Sequence, residues 1–312
     1  MEPQRRCPPP ALGDDNRILL RPSDFPAAEN VDFLETAFFR ADKSRKLPTP
    51  SEVRSRAPDS GTYRPFLIWF TENGMNLVVK WGDYITIAEG QVYWMLKKKL
   101  KEEIPTPEIY GWRTQGGQVF LYLECTDGLQ LEEVYGQLDH SDKMELAGQI
   151  KKFKAALGRL YQDPQERFLG SIGGQPLQDV VCEPYKKISG PHKTISSLHD
   201  QILREIATTF PDRDPQNPRK INLPDHVSIV LSHCDLDPKN ILVSRTNPRK
   251  VIALIDWHQS GWYPSYWEWC KAKWCGGEWG RKYLVEEALE NQEGSEADFR
   301  AFVDFTRLLG VC

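Results

Sequence analysis

No Cys-x-x-Cys pair occurs among the seven cysteines, which are scattered and odd in number. That spacing argues against a zinc site or a disulfide framework and points to free thiols in a reducing compartment. No run of about 18 apolar residues is present, so no segment is expected to span a membrane. The opening Met1-Glu2-Pro3-Gln4-Arg5-Arg6 lacks the apolar stretch of a signal peptide. A basic field is missing too. The formal net charge is −4, so no nucleic-acid partner is expected. Internal repeats are absent. What remains is a cytoplasmic globular protein as the expectation, and 312 residues with 40% hydrophobic and 27% charged side chains suffice for a large core.

Residues 1–27 are rich in Pro, Arg and Asp, show no period, and are expected to be a flexible tail. Val31, Phe33, Leu34, Ala37 and Phe38 recur at helical spacing, whereas 41–63 is polar and Pro-rich and reads as a loop. Apolar runs at 65–70 and 77–80 flank Asn73-Gly74, a hairpin signal. A helix is expected from about Thr86 to Lys101, then a second strand pair around Gly116-Gly117, ending at Glu124. Beyond Asp127-Gly128 the chain turns helical. Leu146, Ile150, Phe153, Leu157 and Leu160 form an amphipathic stripe behind an expected N-cap at Ser141. A further helix is expected over Thr194–Phe210, a loop over 211–226, three short strands at 227–231, 241–244 and 251–255, and aromatic-rich helices to the end. This β-rich front of about 125 residues and α-rich back predict two lobes with a cleft between them.

The sharpest signal is His233-Cys234-Asp235-Leu236-Asp237-Pro238-Lys239-Asn240, between two apolar strands. It fits the pattern H-x-D-L-x-x-x-N of kinase catalytic loops. One carboxylate must accept a hydrogen bond from an attacking hydroxyl, and one amide oxygen must turn back to hold a metal ion against phosphates. Asp235 suits the first task and Asn240 the second, with His233 bracing the turn. Asp256 ends the third strand, 16 residues past Asn240, where a second metal ligand belongs. An Asp or Asn in a turn is by itself ordinary turn chemistry. The joint pattern is not, arising by chance on the order of once in a hundred chains of this length. In the front half, Lys80 ends Leu77-Val78-Val79-Lys80 and Glu89 opens the next helix, where the two could pair; a solvated lysine and a helix-start glutamate are the plainer readings.

With these residues in view, the chain resembles the aminoglycoside phosphotransferase and choline kinase family of small-molecule kinases, and especially its fungal-type members. The likeness rests on Val79-Lys80, Glu89, Ile104-Pro105-Thr106-Pro107, the loop from Leu231 to Leu242, Ile255-Asp256-Trp257 and Gly261–Glu268, over roughly residues 70 to 275. It implies an α+β, protein-kinase-like two-lobed fold: a nucleotide-binding lobe over 28–125 and a catalytic and substrate lobe over 126–312. It implies ATP or GTP, Mg²⁺ and a small-molecule hydroxyl acceptor. By matching position, Asp235 would be the base, Asn240 and Asp256 the metal ligands, Lys80 the phosphate-holding lysine oriented by Glu89, and Tyr122, Leu123, Glu124 and Cys125 the hinge that meets the purine. The family most often has Gly where Cys234 stands and Glu-Gly-Ala where His258-Gln259-Ser260 stands, and no Gly-rich phosphate loop precedes Lys80.

Six tryptophans fall within 257–279, which reads as core packing of the back lobe or as an aromatic cage for a quaternary ammonium. Glu268 and the acidic balance would equally suit an amine. Two other readings stay open: a kinase-shaped protein that binds nucleotide or a partner without turnover, and a protein kinase, against which the missing D-F-G and A-P-E segments speak.

Overall fold

The computed structural model describes residues 16–57, 65–101, 103–182, 188–209, 223–289 and 295–311. The front lobe opens with β1 (Ile18–Leu20), β2 (Val31–Asp32) and two short helices, α1 (Ala37–Ala41) and α2 (Pro50–Ser55). Strands β3 (Phe66–Phe70) and β4 (Leu77–Gly82) follow, then α3 (Ile87–Met95), which runs on as π-helix over Leu96–Leu100, and the pair β5 (Ile109–Gln115) and β6 (Gln118–Glu124). The strands from β2 to β6 make one antiparallel sheet in the order β2-β5-β6-β4-β3. Gly116 and Gly117, at φ 64° and 77°, supply the two positive-φ positions that a two-residue hairpin between β5 and β6 requires.

Alternation along the strands sorts their side chains to two faces. Leu77, Val79 and Trp81, with Phe120 and Tyr122, face a small core closed by Phe38, Phe39 and Val53 of α1 and α2. Leu121 and Leu123 lie on the other face, in the main core with α3. Gly90 permits that approach: a Cβ there would stand 2.9 Å from the Trp112 ring and 3.1 Å from Leu121. Glu89 beside it is thereby held close to the sheet.

The back lobe holds β7 (Leu129–Gln130), α4 (Leu131–Val134), α5 (His140–Leu157), β8 (Leu160–Gln162), α6 (Ile195–Thr209), β9 (Ile229–Ser232), β10 (Ile241–Val243), β11 (Val251–Leu254), β12 (Gly261–Pro264), α7 (Trp267–Cys275), a π-helical stretch Trp279–Ala288 and α8 (Glu296–Leu309). Its strands fall into three small sheets: β8 with β1 of the front lobe in parallel, β12 with β9, and β11-β10-β7. Among the described residues no helix is long and apolar enough to cross a membrane.

Several expectations need correction. Residues 16–27 of the supposed tail are structured: β1 pairs with β8, and Leu20 and Phe25 are buried. The helix expected from Val31 is instead β2, because Val31 and Asp32 pair with Trp112 and Gly111, and helix begins only at Ala37. The supposed loop 41–63 contains α2, started by Pro50 at its first turn and by a Thr49–Glu52 capping box. Asp139, not Ser141, caps α5, its Oδ1 accepting from the Asp142 amide at 2.8 Å. Strand β12 is not among the expected strands, and the three strands expected around the catalytic loop divide between two sheets. Residues 1–15, 58–64 and 210–222, parts of the expected tail, loops and helix, lie outside the described residues.

Candidate active site

Because β9 and β10 belong to different sheets, the segment His233–Asn240 crosses from one to the other. Pro238–Asn240 forms one 3₁₀ turn capped by Asp237, whose Oδ1 accepts from the Lys239 amide at 3.2 Å. The turn folds Asn240 back on Asp235: its Nδ2 donates to the Asp235 carbonyl and to Oδ2, each at 2.9 Å. His233 braces the start of the loop. Its Nδ1 accepts from the Asp235 amide at 3.1 Å, so Nε2 is the protonated nitrogen and donates to the Ile255 carbonyl at 3.1 Å. This bonding needs a neutral ring, and burial lowers the His233 pKa in the same direction.

Glu268 on α7 secures the loop from behind. Its Oε1 accepts from the amides of His233 and Cys234 at 2.9 and 3.0 Å, and its Oε2 accepts from the buried ammonium of Lys154 on α5. Burial would raise the Glu268 carboxyl, but Lys154 and the loop amides outweigh it and hold it ionised. The idea of Glu268 as a partner for an amine substrate is thereby corrected: its side chain is 1% exposed and its bonds go to the loop. Five of the six tryptophans are core, and Trp274 packs half-buried against it. Trp257, Trp262, Trp267 and Trp279 are at most 1% exposed and Trp269 is 8% exposed. Glu268 closes the Gly261–Glu268 run, but nothing in the sequence assigns it to the loop, and Lys154 carries no mark, since the two lie 114 residues apart.

Cys234 stands at φ 62°, in the left-handed region, with its thiol buried. A non-glycine residue pays roughly 1–2 kcal/mol there, and a β-branched one more. We therefore expect Cys234→Gly to unfold in urea within about 1 kcal/mol of wild type, and Cys234→Val to lose at least roughly 2 kcal/mol. Equal midpoints for the two variants would show that the backbone at this position is unstrained.

Asp256 follows β11 and also adopts a left-handed conformation, φ 60° and ψ 60°. The hydroxyl of Tyr93, one helical turn after Glu89 on α3, accepts its amide at 3.0 Å. That turn aims the Asp256 carboxylate at Lys80. The Lys80 ammonium donates to Glu89 Oε1 and Oε2 at 2.8 and 2.9 Å and to Asp256 Oδ1 at 2.7 Å. Burial alone would lower the Lys80 pKa, but Glu89 and Asp256 outweigh it and raise it. Burial pushes Glu89 up to about 7 against the pull of Lys80, while Lys80 overrides burial at Asp256 and lowers its pKa. Lys80, Glu89 and Asp256 therefore meet from three separate elements, and the ion pair between Lys80 and Asp256 is one that sequence spacing did not suggest.

Lys80 and Asp256 border a cleft of about 440 Å³ between the lobes; Asp235 lines a small neighbouring pocket with Cys234 and Lys271. Leu67, Trp69 and Val78 form the roof of the cleft, Leu242 and Ile255 its floor, and Lys80, Asn240 and Asp256 its polar end. Of the four hinge residues, Leu123, Glu124 and Cys125 line it and Tyr122 does not. Tyr122 points to the opposite face of the sheet and donates its hydroxyl to the Pro48 carbonyl at 2.6 Å, as strand alternation requires. The turn Thr71–Met75 lies at the hinge end, since Leu77 pairs with Glu124 whereas Lys80 pairs with Leu121. Asn240 and Asp256 offer oxygens only, a donor set that fits Mg²⁺, which takes few protein ligands and leaves positions for phosphate and water.

His258, two residues past Asp256, is half-buried, with an Nδ1 that is shielded from solvent and has no hydrogen-bond partner. Burial and then Lys80 lower its pKa to about 4. The unfolded chain protonates this ring near 6.5 and the native chain does not, so U binds more protons between these values. The stability His258 contributes is complete above about pH 6.5 and drains as pH falls toward 4. Glu89, raised, acts in the opposite sense, so a difference measurement is needed. Going from pH 7 to 5, wild type should lose about 2 kcal/mol more than His258→Gln in urea unfolding. Identical losses would mean that the ring is not depressed.

Two solved structures resemble this chain in fold. The streptomycin–ATP ternary complex of APH(2'')-IIa is 16% identical, with 78% of this chain and 80% of that chain covered and a TM-score of 0.52. The ADP-bound aminoglycoside phosphotransferase APH(2'')-Ib is also 16% identical, with the same coverages and a TM-score of 0.50. Both share the two-lobed, protein-kinase-like fold. No curated protein sequence matches the chain. The model of the phosphotransferase enzyme family matches residues 88–302, from the helix that carries Glu89 to the last helix. The chain is thus a phosphotransferase, a member of the phosphotransferase enzyme family.

Proposed function

We propose that this small-molecule kinase moves the γ-phosphate of ATP or GTP onto a hydroxyl of its acceptor, with Asp235 as base. The observation that supports the reading is that Lys80 and Asp256, ion-paired with each other, line one cleft together with Asn240, whose side chain bonds Asp235 just outside it. Asn240 Nδ2 occupies Asp235 Oδ2, which leaves Oδ1 to accept the acceptor's hydroxyl proton. The purine would lie between Trp69 and Leu242, against the hinge at Leu123–Cys125. Asn240 and Asp256 would hold Mg²⁺, which when bound neutralises phosphate charge. Glu89 fixes the Lys80 ammonium at the phosphate end, and His233 and Glu268 keep the loop in register. The neighbour's complex with ATP and streptomycin is in line with a nucleotide cleft beside a small-molecule acceptor.

The test is turnover of ATP and GTP with Mg²⁺ against a panel of aminoglycosides, choline and other amino alcohols, in wild type and Asp235→Asn. Acceptor-stimulated turnover that the variant loses supports the reading and names the acceptor class. Nucleotide binding without turnover under any acceptor would favour a binding protein of kinase shape.

A further inference from the structure

Lys239 has no role in the site as described so far, yet it lines the same cleft, next to Asn240. Its backbone is fixed on both sides. The amide donates to Asp237 Oδ1 at 3.2 Å, and the carbonyl accepts from Gln130 Nε2 at 2.9 Å, which ties the loop to the start of α4. The side chain is not fixed. It is 49% exposed, and among the described residues its one ion pair is with Asp235 Oδ2, at 3.8 Å, beyond hydrogen-bond length.

Lys80 presents the opposite case. An ammonium has three N–H donors. All three are directed at carboxylate oxygens, two of Glu89 and one of Asp256. In this arrangement Lys80 keeps Glu89 and Asp256 in place but has no N–H left for a phosphate oxygen. The phosphate end of the cleft thus holds one saturated cation and one with donors to spare, and the second sits 3.8 Å from the residue read as the base.

We propose that Lys239 is a catalytic residue that binds the transferred phosphoryl group through its ammonium. This rests on the reading of the cleft as an ATP or GTP site. In the step itself the acceptor oxygen bonds to the γ-phosphorus, the bond from that phosphorus to the β–γ bridging oxygen breaks, and the hydroxyl proton passes to Asp235. Lys239 stays protonated throughout. It offsets charge on the equatorial oxygens of the group in flight, where preorganised cations are most effective. Its place beside Asp235 also draws the γ-phosphorus toward the attacking hydroxyl.

The experiment is binding of Mg²⁺–ADP and of the non-hydrolysable analogue Mg²⁺–AMP-PNP, by calorimetry, to wild type, Lys239→Met and Lys239→Arg. Only AMP-PNP carries the group that Lys239 is proposed to hold. Lys239→Met is expected to weaken AMP-PNP by roughly 10- to 100-fold, the range for a hydrogen bond to a charged group, with ADP changed less than about twofold. Lys239→Arg should recover most of the AMP-PNP affinity. Equal weakening of both nucleotides, or no change in either, overturns the proposal while leaving the kinase reading intact. Failure of wild type to bind either nucleotide removes the kinase reading and this proposal with it. A thermal melt of Lys239→Met at the wild-type midpoint is expected, because the side chain makes no buried contact; a clear drop with parallel loss of both nucleotides would assign Lys239 a structural role instead.

Discussion

Asp235→Asn is expected to lower phosphoryl transfer by about 10²–10⁴-fold, the usual contribution of a positioned base, with nucleotide affinity changed only a few-fold. The substitution preserves shape, so it isolates the loss of the proton acceptor. Asn240 Nδ2 can still donate to an oxygen in the place of Asp235 Oδ2, and its bond to the residue-235 backbone carbonyl is untouched. His233 Nδ1 still accepts from the residue-235 amide. The loop therefore stays folded, and the loss should appear in kcat rather than in the KM for nucleotide. An Asp235→Asn enzyme with wild-type kcat would remove Asp235 from the role of base. A kcat loss accompanied by an equally large loss of nucleotide affinity would point to a disturbed cleft rather than to missing base catalysis.

The second large effect is on stability. Glu268→Ala should cost about 3–5 kcal/mol, because it leaves the buried Lys154 ammonium without its partner. It also strips the acceptor from two buried amides, those of His233 and Cys234. Against a typical total of 5–15 kcal/mol, this is enough to depopulate the native state of a modestly stable protein. Urea unfolding measures it, and a second variant keeps the result interpretable. Glu268→Gln retains an oxygen for the two amides but not the charge, so its loss should be smaller. Removing the cation as well, in Lys154→Met with Glu268→Gln, should recover part of it, since the penalty of an unpaired buried charge is then gone. If Glu268→Ala costs less than about 1 kcal/mol, the carboxylate does not hold the loop.

The features that the sequence determined by itself are local ones. Asp235 and Asn240 lie five residues apart, and the Pro238 turn with its Asp237 cap, both local, brings Asn240 back toward Asp235. The Gly116-Gly117 hairpin and the amphipathic helix α5 are equally legible, although Leu160, the last residue of the expected stripe, lies in β8. Asp256 could be placed at a strand end by its apolar run alone. The competition at Val31–Phe38 was not legible: the spacing suits a helix, and pairing with Trp112, some eighty residues on, decided for strand at Val31 and Asp32. Which face of β6 Tyr122 presents was a matter of register, since a one-residue shift exchanges cleft and core. The ion cluster at Lys80 joins residues 9 and 176 positions apart, and the clamp of Glu268 on the catalytic loop spans 35 and 114. Charges so far apart leave no period in a sequence, and an isolated Lys or Glu reads as a solvated surface residue. Only folding, by taking those charges out of water, obliges each to find the partner that fixes its role.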